Sequence, residues 1–370
     1  MLKDITVLDF SHYLPGPFAS LRLADLGATV IKVEPLFGDL ARSFDKESTA
    51  LYTANNRNKQ SIAINVKDKE GAEIALSLME KADVIIESFR PHTMSRLGLG
   101  YEDAKRRNEN IIYASITGYG QRHDHSHLAG HDLNFMAVSG VLAQIKSNGK
   151  PFIPNITLGD EIGGMLVSES ILAALFDRER TNQGCYLDIS LTDSLTMLMN
   201  NHVMLYDLYS KNNGLDVLAG TEVSYCLYET ADERYVAIGA VEQKFWERFC
   251  RYAGREDWIS KQHAKVIEGE SVYEEIKSFF HGKPFAYWEQ ASLEIDCCLT
   301  PVYEANELAV SPYTKHMITM PYVRTHNMLK IKNPPVLGEQ TSELLSKLGY
   351  DENKITLLRK KGIIAGLIPC

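Results

Sequence analysis

Through its first half the chain alternates short apolar runs with stretches whose apolar residues recur at helical spacing, and this alternation limits the fold more than any other feature. Residues 5–10 read as a buried strand, Pro15, Gly16 and Pro17 turn into a helix through Leu26, and Gly27 ends that helix before a second strand over 29–33. A further unit places strands at 61–66, 83–87 and 111–115 around a helix over 70–81. Such a pattern predicts a mostly parallel α/β sheet covered on both faces, with ligands beyond the carboxyl ends of its strands. Polar turns fall at such ends: Ser88-Phe89-Arg90, Gly118-Tyr119-Gly120 and the loop over 37–58. A G-x-G-x-x-G run does not follow the first strand, so a dinucleotide is not the expected ligand.

Beyond this, residues 163–178 show helical spacing and 191–209 read as one long Met-rich helix, its methionines expected as core filler. After Gly220 the texture changes. A hairpin turning at 231–233 and helices from Lys244, Ser271 and Ala286 predict a smaller α+β domain. A length of 370 residues also favours two domains. The net charge of −9, with Lys and Arg scattered, excludes the concentrated basic face of a nucleic-acid binder. No apolar run approaches the roughly 18 residues of a membrane span. The opening residues enter a strand at once, and a cytoplasmic location is expected. The adjacent Cys297 and Cys298 are expected as buried, inert thiols.

Chemistry needs groups that titrate differently, held on turns. His131 stands in a turn between Gly130 and Asp132, and Asp160 precedes the Gly163-Gly164 pair at the mouth of a helical pattern. Taken alone, Asp160 reads as a helix N-cap and His131 as a hydrogen-bonded structural residue. The glycine pair suggests that something approaches the backbone there, and a helix N-terminus would favour an ionised Asp160 and offer amides to an oxyanion. Glu242, in a turn after an apolar strand, could orient the histidine. His123, His125 and His127 are numerous enough for zinc but lack a nearby carboxylate or Cys set, so no metal is expected. Arg42, Arg57, Lys59, Arg90 and Arg96 lie in loops at strand ends, where together they could hold a polyphosphate.

In order and spacing these motifs resemble those of the family III coenzyme A transferases and of the α-methylacyl-CoA racemases that share their fold. The resemblance runs through Val7-Leu8-Asp9-Phe10, Pro15-Gly16-Pro17, Asn56-Arg57-Asn58-Lys59, Phe89-Arg90-Pro91, Arg96-Leu97-Gly98 and Gly118-Tyr119-Gly120. It implies a large Rossmann-like domain built from both chain ends (1–195 and 325–370), a linker helix over 196–218, a small domain over 219–305 and a return linker over 306–324. Two subunits would interlock as rings. Coenzyme A would enter as part of an acyl-CoA substrate, without prosthetic group or metal, held by Arg42, Arg57, Lys59, Phe89, Arg90, Arg96 and Tyr119. In the racemases, residues matching His131 and Asp160 exchange the α-proton of a 2-methylacyl-CoA on opposite faces of an enolate, the histidine being paired with a glutamate matching Glu242. In the transferases an aspartate matching Asp160 attacks the thioester, giving an anhydride and then an enzyme-CoA thioester. The joint presence of His131, Asp160 and Glu242 favours the racemase branch. Glu161 stands where the racemases tend to carry an aromatic residue.

Overall fold

The computed structural model describes residues 1–43, 47–147, 149–315 and 331–366. The chain divides into two compact units, Met1–Asn200 with Met320–Cys370, and Asn201–Thr319. Cys370 and part of the return linker expected over 306–324 lie outside the described residues.

The first unit is organised by β1 (Thr6–Asp9), β2 (Thr29–Glu34), β3 (Gln60–Ile64), β4 (Val84–Glu87), β5 (Ile112–Thr117) and β6 (Cys185–Ser190). They pair in parallel in the order β3-β2-β1-β4-β5-β6, and the short strand Ile364–Ala365 adds antiparallel to the outer edge of β3. That last strand brings the chain's far end back to the sheet, and no periodicity over two residues could announce it. Alternate strand residues point to opposite faces. Leu8, Ile31 and Ile85 therefore join one apolar layer, and their neighbours Val7, Val30 and Val84 join the other. Both faces are covered, which is why β4 and β5 are buried along their whole length.

Three helices of this unit bear on the site: α1 (Pro15–Asp25), α2 (Asp132–Val138) and α3 (Leu158–Thr181). The Gly163-Gly164 pair lies inside α3, against other parts of the same chain. A Cβ on Gly164 would stand 2.7 Å from the Pro15 carbonyl oxygen, and one on Gly163 would stand 2.2 Å from Leu191 Cδ2. The close approach foreseen for this pair is thus met by helix packing.

The chain leaves β1 toward β2 and β3, then returns to the other side for β4. Such a reversal opens a crevice beyond the carboxyl ends of β1 and β4. There the His12 amide donates to Ser88 Oγ at 3.1 Å, and the His12 ring meets Phe89 edge-on at 5.3 Å. Beside the crevice lies a buried group of charges. Lys59 Nζ donates to Asp9 Oδ2 (3.1 Å), the Pro17 carbonyl (2.9 Å) and Asn56 Oδ1 (2.8 Å), while Lys32 Nζ pairs with Asp39 at 2.9 Å. Burial alone would raise the Asp9 carboxyl, but Lys32, Lys59 and the hydroxyls of Ser11 and Ser20 hold it well below the carboxylate range.

In the second unit the hairpin Tyr225–Glu229 and Tyr235–Gly239 is joined antiparallel by Leu299–Pro301. Helices Gln243–Tyr252, Ser271–His281 and Phe285–Glu294 accompany it, and Trp246, Trp258 and Trp288 are buried in the unit's core. Two expectations are corrected. The Met-rich stretch is broken by a 3₁₀ turn at Met197–Met199, and of its methionines Met199 packs against the first unit's core as expected, while Met197 (57%) and Met204 (56%) are exposed in the single chain. Cys297 is buried as expected, but Cys298 is exposed on a left-handed turn with φ 58°. No helix among the described residues is long and apolar enough to cross a membrane.

The buried charges make a testable demand. Asp9→Asn leaves Lys59 and Lys32 short of a negative partner and should destabilise the protein by about 3–5 kcal/mol in urea unfolding at pH 7.

Candidate active site

A single carboxylate joins the turn that carries His131 to the helix that carries Asp160. Asp132, the first residue of α2, accepts at Oδ1 from the Gly159 amide (2.6 Å) and from the Asp160 amide (3.0 Å). These are N–H groups of the first turn of α3, which a helix cannot satisfy internally. The residue at the N-cap position, Thr157, makes no side-chain capping bond. Asp132 therefore caps α3 from a distant stretch of chain. Gly159 makes room for it, since a Cβ there would stand 2.8 Å from Asp132 Oδ1.

Asp160 is accordingly not an N-cap but the third residue of α3, which begins at Leu158, before the glycine pair. Burial, and then the nearby charges of Asp132 and Glu161, push its carboxyl up to about 7. The direction is opposite to the one a bare helix N-terminus would give, because burial and then the two neighbouring carboxylates outweigh the helix end, and Asp132 already occupies the amides. For the same reason the Gly159 and Asp160 amides are not available to an oxyanion. Glu161 is raised too, by burial and by Asp132.

His131 precedes α2 with an exposed side chain, and its amide donates to Asn134 Oδ1 at 3.0 Å. It opens on a pocket of about 460 Å³ whose lining includes Asp132, Leu133, Ile153, Ile156 and Glu161. The guanidinium of Arg90, beyond β4, donates to the carbonyls of His127 and Leu128, so the crevice end of β4 is tied to the stretch leading into His131. Tyr119 packs edge-on against Phe135 of α2 at 5.4 Å. Phe89, Arg90, Tyr119, His131 and Asp160 thus belong to one connected region of the first unit.

The remaining candidates lie elsewhere or are already engaged. Arg42 forms a two-pronged pair with Glu34 (2.7 and 2.8 Å) and stacks over Tyr52. Arg57 pairs with Asp25, and Lys59 is buried, its ammonium brought down to about 8 by that burial against the pull of Asp9. Their charges hold the loop before β3 in place. Arg96 is exposed and donates to Thr93 Oγ1 at 3.1 Å. Glu242 is an exposed residue of the second unit, at the start of helix Gln243–Tyr252. Among the described residues no cluster of three or more His, Cys, Asp or Glu side chains is arranged to hold a metal. A polar hollow at Asp83, Asn108 and Arg178 lies at the amino ends of β4 and β5, where Arg178 pairs with Asp83 at 2.9 Å.

The family model for CoA-transferase family III matches residues 2–348. The chain belongs to this family. Among relatives of family III, the human (Homo sapiens) alpha-methylacyl-CoA racemase is 30% identical over 98% of this chain and 97% of its own. The succinyl-CoA:mesaconate CoA-transferase of Haloarcula marismortui is 34% identical over 99% and 97%. A CAIB/BAIF family protein from Brucella suis has the same fold, with a TM-score of 0.83 at 24% identity over 93% of this chain and 98% of that one. Family III therefore gives the fold and the use of coenzyme A, and its named relatives fall on both sides of the choice between isomerisation and transfer.

Within this candidate site, the raised Asp160 carboxyl carries a stability cost. Its folded value lies above the unfolded one, so the fold is favoured by protonation and loses stability as pH rises from about 4 to 7. Asp160→Asn should therefore stabilise the protein at pH 8, by about 1–3 kcal/mol in urea unfolding, with the gain shrinking as pH falls toward 4. Asp132→Asn keeps an acceptor oxygen and removes the charge. It should lower the pKa of Asp160, followed by carboxyl-carbon NMR, by about 1 unit.

Proposed function

We propose that the protein is an acyl-CoA racemase or epimerase that exchanges the α-proton of a 2-methylacyl-CoA thioester. The observation that carries this reading is the pair of hydrogen bonds from Gly159 and Asp160 to Asp132, the residue next to His131. Through it the start of α2, which His131 precedes, is held against the first turn of α3, which carries Asp160, and His131 itself lines the pocket. The thioester carbonyl makes the α-proton acidic. An ionised Asp160 takes that proton on one face, the C–H electron pair moves onto the carbonyl oxygen as an enolate, and protonated His131 returns a proton on the other face. In the reverse direction the roles exchange. A carboxyl near 7 suits both roles at neutral pH. Coenzyme A lies along the crevice at Phe89, Arg90, Arg96 and Tyr119, while Arg42, Arg57 and Lys59 shape the loop beside it.

The working unit we propose is a cytoplasmic, interlocked homodimer. Support comes from the exposed apolar side chains of Leu198, Val203, Met204, Tyr206 and Leu208, a surface that a second subunit would bury. In the second reading, favoured by the 34% identity to a CoA-transferase, Asp160 attacks the thioester carbonyl carbon and CoA leaves as the thiolate, giving an anhydride; the thiolate then attacks the Asp160 carbonyl carbon, the first acid leaves as its carboxylate, and an Asp160 thioester remains. Borohydride reduction of an Asp160 thioester during turnover would then be detected by peptide mass.

In deuterium oxide, a 2-methylacyl-CoA should gain one deuteron at the α-carbon. His131→Ala should slow that exchange by about 10²–10⁴-fold. A broad acyl-CoA panel without exchange, together with transfer of CoA to free acids, would replace this reading with the second.

A further inference from the structure

The pocket beside His131 has a charge balance that bears on which acyl group it takes. Its wall is apolar at Leu133, Ile153, Pro154 and Ile156, and Ile153 (65%) and Ile156 (49%) stand largely uncovered. Its ionisable groups are His131, Asp132 and Glu161, and among the described residues no Lys or Arg lines it. The Asp132 carboxylate is engaged by two amides of α3, so the helix end offers those amides to no other anion. Glu161 is different. Its carboxylate has no hydrogen-bond or ion-pair partner among the described residues, and it faces the same pocket.

We infer that Glu161 makes this site selective for neutral, apolar acyl groups and rejects acyl groups that carry a second carboxylate. The inference rests on the acyl-CoA reading above but holds for either chemistry. An acyl chain ending in a methyl group gains by covering Ile153 and Ile156. One ending in a carboxylate loses hydration, meets no cation of the lining other than the imidazole needed for catalysis, and faces a like charge at Glu161. Selectivity of this kind comes from a repulsive element placed against the wrong ligand.

The test compares two thioesters of one shape, 2,4-dimethylpentanoyl-CoA and 2-methylsuccinyl-CoA with the thioester on the methyl-bearing side, which differ by a terminal isopropyl group against a carboxylate. Dissociation constants come from calorimetry and α-deuterium exchange rates from mass spectrometry, both on the full chain. The wild type should bind the neutral thioester at least about tenfold more tightly. Glu161→Gln should cut that preference at least about threefold, and Glu161→Lys should invert it. Because both ligands are measured on the same protein, a general loss of folded material cancels in the ratio. Equal binding by the wild type, tighter binding of the diacid, or a ratio unchanged in Glu161→Gln overturns the inference. If the binding ratio behaves as expected but neither thioester exchanges deuterium, the racemase reading fails and the assignment of Glu161 stands. Absence of binding by both overturns the two together.

Discussion

The carboxylate of Asp132 is the joint on which the site depends. It satisfies two amides of the first turn of α3 that would otherwise lack partners, and so fixes the start of the helix that bears Asp160. It also belongs to the residue next to His131, so the same bonds set the spacing between the two turns. Its negative charge adds to burial in keeping the Asp160 carboxyl protonated up to about neutrality. Asp132 thus fixes the start of α3 and adds to the burial that raises Asp160. A local cap such as Thr157 would have satisfied the helix while leaving the two turns independent.

The sheet supplies the frame for this joint. Reversal of the strand order between β1 and β4 opens the crevice at Phe89, and the buried set of Asp9, Lys32, Asp39 and Lys59 braces the segments around it. These charges are fully desolvated, which makes the set costly and intolerant of losing any one member. Arg90 carries the frame to the site by bonding the carbonyls just before His131. The electrostatically expensive part of the first unit therefore lies beside the crevice where a ligand would be held, as expected when stability is given up for a preorganised site.

Much of the fold was legible in the sequence because apolar period and turn residues act locally. β1, β2 and α1 follow from the run over 5–33, and the hairpin of the second unit follows from its turn. What could not be read depends on distant contacts. The start of α3 was hidden because its cap lies 27 residues upstream in Asp132 and because Gly163 and Gly164, poor helix formers, are tolerated where Leu191 and Pro15 press on them. The basic residues show the same limit. Arg42, Arg57 and Lys59 look like phosphate ligands in a loop, yet Glu34, Asp25 and Asp9 claim them once the sheet forms. His131 and Asp160 could be named from their turns, whereas Asp132, which sets their relation, carried no local signal beyond its place between them.

The central claim is geometric: the substrate's α-carbon is held between the imidazole of His131, ahead of α2, and the carboxyl group of Asp160, in the first turn of α3. A crystal structure with a bound 2-methylacyl-CoA measures this directly. The account predicts the α-carbon within about 3.5 Å of a His131 ring nitrogen on one side and of an Asp160 carboxylate oxygen on the other. An α-carbon beyond reach of either group, or Asp160 directed at the thioester carbonyl carbon with His131 turned away, would contradict it.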